Sequence, residues 1–503
     1  MLLKLDGGEP LYVQVYRALS RAIEDGRFPP STRLPGTRTL ARELGVSRTV
    51  VLQAYEQLES EGVIAGSPGS GTFVQGRAEP APTTLVPAGA VEVDALTGAL
   101  QKDLLSPSPW AVRARDGMPV PAMGSGQAAG DLLDLAQART FQDDQGARRW
   151  RQALLAALNE PHDDLRDIRG LAELRRALAL ELHQSRAINV DPDEILVVAG
   201  IQQARDLVAR VLVQPGMSIA LEEPCDPAVR ATFAAMGARL MLCAVGTSGF
   251  DIEYYAAQLA SASLAYVMPS QQFPTGAVMG VRQRLSLLRW AYARGAYVIE
   301  DDFEPEHRLV SNAAPPLFAI DQRAQVIYIG ALAREFFPGL HMGYVIAPRA
   351  LRPFFEAAKW VADRGARFLM QRVLARYLST GEYQSNLRRL FVLLVEKRAA
   401  LVAALSRYFG ERAIVTGDTV SGALLVQFPD AATSVTDAWL ARAEAIGVRA
   451  VSAAAWYARP PAHAVLLLRY AHVQGERLDA AVRLLALAYD EIKPHASLQA
   501  IAC

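Results

Sequence analysis

The sequence predicts a two-part protein of the α/β class, in which a small helical segment precedes a large domain built on a mainly parallel sheet. Residues 9–76 carry three short helical patterns followed by a hairpin pattern, and residues 77–130 are rich in Pro, Ala and Gly. From residue 131 to residue 503, long helical patterns alternate with short apolar β-rich runs. Strands that alternate with helices favour a parallel sheet with helices on its faces.

Composition and charge are those of an ordinary globular protein. The 503 residues are 51% hydrophobic and 21% charged, and the formal net charge is +0. Because the net charge is balanced, any evidence for nucleic-acid binding must be local. The three cysteines are widely spaced and form no Cys-X-X-Cys pair, which argues against a disulfide framework or a zinc cluster and indicates a reducing compartment.

The sequence predicts neither a targeting segment nor a membrane span. The first residues lack an apolar stretch with a small-residue cleavage site after it. The longest apolar run, residues 195–213, is too polar to cross a bilayer because it contains Gln202, Gln203, Arg205, Asp206 and Arg210. We therefore expect a soluble cytoplasmic protein with no membrane partner. Because residues 77–130 are rich in Pro, Ala and Gly, we expect them to form a linker or a loosely packed strap.

Residues 9–76 have the pattern of a helix-turn-helix. A first helix is predicted over residues 10–24 from an apolar face at four-residue spacing, formed by Leu11, Val15, Leu19 and Ile23. A short helix over residues 37–44, a turn at Gly45 and a third helix from its cap Ser47 to about residue 61 complete the motif. The inward face of the third helix is expected to consist of Val51, Ala54, Tyr55 and Leu58.

The third helix and the hairpin after it carry the candidate DNA contacts. The second helix of such a motif enters the major groove with its N-terminus first, so its early polar residues face phosphates and base edges. These residues are Ser47, Arg48, Thr49 and Gln53. Apolar residues on either side of a turn through residues 66–69 predict the hairpin, or wing, and small residues at its tip let backbone N–H groups approach a phosphate closely. The small tip residues include Gly69 and Gly71.

This segment resembles the GntR family of winged-helix regulators in four blocks that occur in the family order. The blocks are residues 34–38, 44–50, 54–58 and 69–74. By this resemblance, Arg38, Arg48 and Thr72 are the strongest candidates for phosphate or base contacts. The alternative is a helical protein-interaction module whose arginines are solvated surface charges, and the four blocks in register favour DNA binding over it.

From residue 131 the chain resembles the fold-type I aminotransferases, which bind pyridoxal phosphate, and the whole chain resembles the MocR/GabR subfamily of GntR regulators. The resemblance rests on residues 169–175, 199–204, 223–224, 269–276, 300–303, 329–330 and 337–344. It implies a smaller C-terminal α+β subdomain at about residues 370–490. It also implies a homodimer, because such domains build their pocket across a two-fold interface and a winged helix reads half-sites best as a pair.

Pyridoxal phosphate needs an amine for its aldimine, donors for its phosphate, a carboxylate for its ring nitrogen and a flat partner for its ring. By the resemblance, Asp301 is the carboxylate. The position of the aldimine lysine holds Arg334, whose guanidinium stays protonated and cannot attack an aldehyde. The nearest downstream lysines, Lys359 and Lys397, lie in helical patterns of another segment.

Other positions of the family pocket also lack their polar or stacking groups. Ala199 and Ile201 occupy positions where the family has phosphate donors. His341 occupies the position of an arginine, and Asp226 that of the stacking aromatic residue. Phe303 lacks a tyrosine hydroxyl, and Leu467 falls at the arginine that binds substrate carboxylates, two residues before Arg469. The sequence therefore predicts a degenerate pocket that comprises Gly200, Gln202, Asp226, Asp301, Phe303, Arg334 and His341.

The expected function is that of a transcriptional regulator with operator DNA, a second copy of the chain and an unknown small-molecule effector as partners. Its aminotransferase-like domain is expected to dimerise, with no covalent cofactor and no catalytic residues. One alternative is a regulator that still binds pyridoxal phosphate weakly and noncovalently through Asp301. The other is an active aminotransferase, which the missing lysine disfavours.

Overall fold

The structure, a computed structural model, describes residues 10–60, 63–67, 71–75, 107–118, 132–137, 144–159, 167–302, 314–332, 340–365 and 368–499. The chain divides into two compact units, residues 1–105 and residues 106–503. None of the helices in these ranges has the length and hydropathy that a membrane crossing requires.

The first unit contains three helices and an antiparallel hairpin. In chain order its elements are α1 (Leu11–Glu24), α2 (Thr37–Leu44), α3 (Arg48–Ser60), β1 (Ile64–Ser67) and β2 (Gly71–Val74). Gly45 ends α2 with a φ of 66°, a left-handed conformation that glycine adopts at little cost. In the hairpin, Ile64 pairs with Val74 and Ser67 with Gly71. The predicted helix-turn-helix and hairpin are confirmed.

The core of the first unit lies between its three helices. The predicted inward face of α3 is buried, with Val51, Ala54 and Leu58 at 0% exposure. On α1 the prediction for Leu11 is wrong, because that residue is 49% exposed at the first turn of the helix. The buried stripe of α1 consists instead of Val15, Leu19 and Ala22.

An eight-stranded sheet forms the centre of the second unit. The short strand β3 (Leu133–Asp134) comes first in the chain and lies outside this sheet. The strands of the sheet in chain order are β4 (Ile195–Val198), β5 (Ser218–Glu223), β6 (Arg239–Gly246), β7 (Gly249–Phe250), β8 (Ala262–Val267), β9 (Tyr297–Asp302), β10 (Val326–Leu332) and β11 (Met342–Ile346). Their spatial order is β4-β11-β10-β9-β8-β5-β6-β7. The five strands from β10 to β6 are parallel, whereas β11 is antiparallel to both of its neighbours and β7 to β6. The predicted mainly parallel sheet is confirmed.

Helices cover both faces of this sheet. The helices of this part of the chain are α4 (Pro109–Asp116), α5 (Asp144–Leu158), α6 (Ala172–Arg186), α7 (Ile201–Leu212), α8 (Pro227–Ala235), α9 (Ile252–Tyr255), α10 (Val281–Arg294), α11 (Leu317–Ile320), α12 (Arg352–Asp363) and α13 (Phe368–Ser379). Alternate residues of β9 enter different cores, so that Ile299 packs with Leu207 of α7 while Val298 packs with Leu287 of α10. Burial of both faces explains why the strands are continuously apolar in the sequence.

The C-terminal part adds an antiparallel sheet with its own helices. Its elements are α14 (Glu382–Phe409), β12 (Ile414–Val415), β13 (Ala423–Ala432), α15 (Thr436–Ala445), β14 (Val448–Arg449), β15 (Val451–Ser452), β16 (His463–Arg469) and α16 (Gly475–Gln499). The strands are ordered β12-β13-β16-β15, and β14 pairs with β3. Aromatic side chains form much of its core, with the rings of Phe428 and Trp439 4.8 Å apart and nearly perpendicular. This arrangement is the α+β subdomain that the resemblance implied.

Helix α4 lies inside the segment that the composition predicted to be a linker. Ser108 accepts a hydrogen bond from the Ala111 N–H at 3.2 Å, and Pro109 is the first helical residue. Serine is a preferred N-cap and proline is tolerated in the first turn, so the Ser-Pro pair begins a helix here. The prediction of a linker or a loosely packed strap did not include this helix over residues 109–116.

Candidate functional site

The candidate DNA contacts on α2 and α3 lie on the surface of the first unit. Arg38, Arg48 and Gln53 are exposed, and so are Ser47 and Thr49. The Ser47 hydroxyl accepts a long hydrogen bond of 3.4 Å from the Val50 N–H, as an N-cap does. Within the described part of the chain, neither Arg38 nor Arg48 forms an ion pair or a side-chain hydrogen bond. Both guanidinium groups are thus available to a ligand.

The wing is held close to the segment before α2. The Leu34 N–H donates to the Thr72 carbonyl at 2.8 Å, and Thr72 is half-buried. Gly71 has a φ of 111°, and a Cβ there would lie 2.6 Å from Arg33 Nε. A residue with a side chain would therefore displace Arg33, an exposed cation that the sequence reasoning did not single out. Gly69 lies outside the described residues.

Two of the predicted cofactor-site residues take part in a buried ion bridge centred on a residue that sequence reasoning also missed. Asp301, near the carboxyl end of β9, is 1% exposed. Its Oδ2 accepts from Arg205 Nη2 at 2.9 Å and from Arg205 Nε at 3.3 Å, and it also accepts from the Tyr266 hydroxyl. Arg205 belongs to α7 and is 3% exposed. One carboxylate oxygen of Asp301 therefore receives both a guanidinium and a hydroxyl.

The same guanidinium reaches a second carboxylate. Arg205 Nη1 lies 2.8 Å from Asp226 Oδ2, whereas Asp226 Oδ1 accepts from the Ala228 N–H at 3.0 Å and so caps α8. We call this chain of contacts the Asp301–Arg205–Asp226 bridge. It brings together Asp226 and Asp301, two of the predicted pocket residues, through Arg205, which the sequence reasoning noted only as a charge in an apolar run.

Burial controls the protonation of the groups around the bridge. It raises the pKa of Asp301, although the Arg205 charge and the Tyr266 hydroxyl act in the opposite direction. It also raises the pKa of Tyr266 well above its ordinary value, so this phenol stays a hydrogen-bond donor. Asp301 Oδ1 has no hydrogen-bond partner among the described residues. The bridge therefore leaves one buried carboxylate oxygen unsatisfied.

The turn into α7, where the resemblance places the cofactor phosphate, is occupied by internal contacts. Gly200 begins the helix with a φ of 83°, and a Cβ there would lie 3.5 Å from the Cα of His341. The Ala199 N–H donates to Gln203 Oε1 at 2.6 Å. The Gln202 amide donates to Thr232 of α8 at 2.8 Å, so its side chain links two helices.

The two lysines considered as substitutes lie on helices of the second unit. Lys359 is 1% exposed in α12, and its Nζ lies 2.9 Å from each oxygen of Asp363. Lys397 is in α14, and burial lowers its pKa. Arg334 and Phe303 lie outside the described residues. Leu467 is 0% exposed in β16, in the apolar core beside Leu425.

Comparisons with known proteins agree with both halves of this description. Residues 11–74 match the family of bacterial regulatory proteins named gntR, and residues 129–452 match aminotransferase class I and II. The probable rhizopine catabolism regulatory protein MocR of Rhizobium meliloti is 28% identical over 431 residues, which cover 85% of this chain and 84% of that protein. The transcriptional regulator TauR of Rhodobacter capsulatus is 29% identical over 406 residues, covering 79% and 80%.

Solved structures resemble the second unit. The kynurenine aminotransferase of Pyrococcus horikoshii has a TM-score of 0.67 at 22% identity, covering 79% of this chain and 99% of its own. The α-aminoadipate aminotransferase LysN of Thermus thermophilus has a TM-score of 0.65 at 26% identity, covering 73% and 94%. The fold of the second unit is therefore that of an aminotransferase. With a GntR head before that fold, the chain belongs to the MocR type of GntR transcriptional regulators.

Proposed function

We propose that this regulator binds operator DNA through α3 and the wing, and that its aminotransferase-like domain serves dimerisation and effector sensing without covalent pyridoxal phosphate and without transamination. The Asp301–Arg205–Asp226 bridge is the observation that carries the proposal. In this bridge Asp301, the carboxylate that a pyridinium nitrogen needs, already forms an ion pair with Arg205 of the protein itself.

The bridge does not fit the ring of the cofactor. A ring nitrogen at Asp301 would compete with Arg205 Nη2, which already lies 2.9 Å from Oδ2. The guanidinium spans from Asp301 to Asp226, so a ring stacked at residue 226 would have to displace it. Displacement would leave the buried carboxylate of Asp301 without its counter-charge, which costs about 3–5 kcal/mol in comparable buried pairs.

The remaining positions add to this misfit. Ala199 and Ile201 offer no hydroxyl to a phosphate, and each charge-assisted hydrogen bond that is missing weakens binding by roughly 1.5–3 kcal/mol. Arg334 offers no amine for an aldimine. Leu467 offers no positive charge to the carboxylate of an amino-acid substrate. The binding of cofactor, its covalent attachment and the recognition of substrate are therefore all weakened.

A second candidate is a regulator that binds pyridoxal phosphate weakly and reversibly. One observation favours it, namely that Asp301 Oδ1 is buried without a hydrogen-bond partner among the described residues. A noncovalent ligand could donate to this oxygen while Arg205 keeps Oδ2. Such binding would be reversed by dialysis, and borohydride would trap no adduct.

We propose that the dimer uses an exposed apolar face of α12. Phe354 is 61% exposed, Trp360 56% and Val361 74%, and Ala357 lies between them on the same side of the helix. Large apolar side chains grouped on one exposed helix face are typical of protein interfaces. Light scattering at micromolar concentration should give a dimer, and Val361→Lys should shift it toward monomer. A wild-type monomer would contradict the proposal.

Operator binding by cofactor-free protein tests the proposed function directly. Full-length protein purified without added pyridoxal phosphate is used to select fragments from genomic DNA, and the selected fragments are footprinted. We expect protection of two half-sites at the same protein concentration with and without pyridoxal phosphate. Protection that requires the cofactor, or conversion of an amino donor to its keto acid by the same preparation, would contradict the proposal.

A further inference from the structure

Helix α8 is held by charged side chains at both of its ends. At the N-terminus, Asp226 caps the helix with Oδ1 and contacts Arg205 with Oδ2. At the C-terminus, the Ala235 carbonyl accepts from Arg113 Nε of α4 at 2.9 Å. A carboxylate at the start and a guanidinium at the end both complement the helix dipole. The pocket bridge and α4 therefore act on opposite ends of one helix.

Helix α4 also contacts α7, the helix that carries Arg205. The Arg210 guanidinium of α7 lies 6.0 Å from the centre of the Trp110 ring. At the end of α4, a Cβ on Gly117 would lie 3.3 Å from Ala231 of α8, which shows how closely the two chain segments approach. Helix α4 thus rests on the same two helices that Arg205 and Asp226 join in the pocket.

The position of α4 in the chain gives this contact its significance. Its sequence follows the segment that leads from the wing, which ends at residue 74, to the second unit. The helix is therefore the first described element of the second unit after the DNA-binding segment. A change in the docking of α4 therefore acts on the described element of the second unit that comes first in the chain after the DNA-binding segment.

We propose that α4 is an anchor whose docking on α7 and α8 depends on the Asp301–Arg205–Asp226 bridge, so that a ligand that alters the bridge loosens α4 from these two helices. This regulation rests on the proposed effector role of the pocket. Separating Arg205 from Asp226 removes the charged contact between α7 and α8 and leaves the hydrogen bond from Gln202 to Thr232. The spacing between α7 and α8 is then less constrained, and α4, which contacts both helices, docks less tightly.

Thermodynamic coupling must be reciprocal, which supplies the test. In full-length protein without ligand or DNA, hydrogen exchange followed by mass spectrometry is measured for wild type, Asp226→Asn, Arg113→Met and the double variant. Asn still caps a helix but does not carry the charge that Arg205 contacts. We expect Asp226→Asn to speed exchange of residues 109–117 about tenfold. We expect Arg113→Met to speed exchange of Ala228 and Val229 by a similar factor, with the double variant showing less than the product.

Asp251→Asn is the matched control, because Asp251 caps α9 through the Glu253 N–H at 3.0 Å, away from the bridge. This variant should leave the exchange rate of residues 109–117 unchanged. If each variant changes only its own segment, or if the two effects multiply, the anchor is not coupled to the bridge. Should Asp226→Asn not fold, Arg113→Met at its half-buried site still decides the question. The footprint of wild-type protein reports separately whether the proposed function holds.

Discussion

Arg48 and Arg205 show two opposite uses of the same side chain in one protein. Arg48 lies exposed at the start of α3 and has no partner among the described residues. Arg205 is 3% exposed in α7 and contacts two carboxylates and a phenol. A cation meant for a ligand must be free of internal partners, whereas a buried cation must have them.

Under the proposed function, this difference explains how an aminotransferase fold persists without a covalent cofactor. The sheet and helices of the second unit are stabilised by their apolar cores. The buried charge of Asp301, which a cofactor could neutralise, is neutralised here by Arg205. Under the proposed function, the fold needs no ligand to balance the charge of Asp301.

The largest effect is expected from Arg205→Leu. It leaves Asp301 buried and without its counter-charge, and breaking a buried pair in this way costs about 3–5 kcal/mol of unfolding free energy. Urea denaturation of the full-length protein measures this cost. Arg210→Leu is the control, since Arg210 lies on the same helix but is half exposed, forms an ion pair with Asp206 at the surface and lies over the ring of Trp110. It should cost less than about 1 kcal/mol. Equal effects would show that the bridge is not a stabilising feature.

A smaller effect, on DNA affinity alone, is expected from Arg48→Ala. Removal of one base or phosphate interaction costs about 1–3 kcal/mol, or about 5- to 150-fold in affinity. A gel-shift titration at fixed salt with the selected operator measures it, and the unfolding transition should not move. Arg27→Ala removes an exposed arginine that pairs with Asp25 beyond the end of α1, and it should bind nearly as wild type does. If both variants bind equally well, Arg48 does not touch the operator.

The smallest effect concerns Glu222, a buried acid on β5. Burial raises its pKa to about 8, whereas an unfolded chain ionises it near 4.5. Native protein therefore holds a proton that unfolded protein has released, and stability falls as the pH rises toward 8. The Glu222→Gln variant should not show this decrease in stability, because glutamine does not titrate. Between pH 7 and pH 8 the stability of the variant should rise relative to wild type by at most about 1.4 kcal/mol, read from urea midpoints. Parallel pH profiles would show that Glu222 is not protonated in the native protein.

The sequence was sufficient for those features that local pattern determines. The helix-turn-helix follows from periodicity and from Gly45, and the parallel strands follow from their continuous apolar character. The Ser-Pro pair before α4 contributed to the prediction of a linker, because the same residues occur in loops and at the starts of helices. Whether Ser108 caps a helix depends on α8, which supplies the packing surface for α4.

Arg205 could not be identified from the sequence because its partners are distant. Asp226 lies 21 residues away and Asp301 lies 96 residues away, so only the folded sheet brings them together. One local signal was present, because Arg205 lies between Ala204 and Leu207 on a helix face that is otherwise buried. A charge on the apolar face of a helix indicates a buried partner, although it does not reveal which one.

A cofactor titration tests the central claim most directly. Pyridoxal phosphate is added to wild type and to Arg334→Lys, absorbance is recorded, and mass is measured after borohydride reduction. We predict no trapped adduct in wild type and a weak one in Arg334→Lys, because Arg205 and Asp226 still occupy the ring site and Ala199 still lacks a hydroxyl. A tight adduct in wild type would show that a lysine such as Lys359 serves, and a tight adduct in Arg334→Lys alone would show that the ring and phosphate sites are intact. Either result would contradict the account of a pocket whose cofactor charge has been replaced by Arg205.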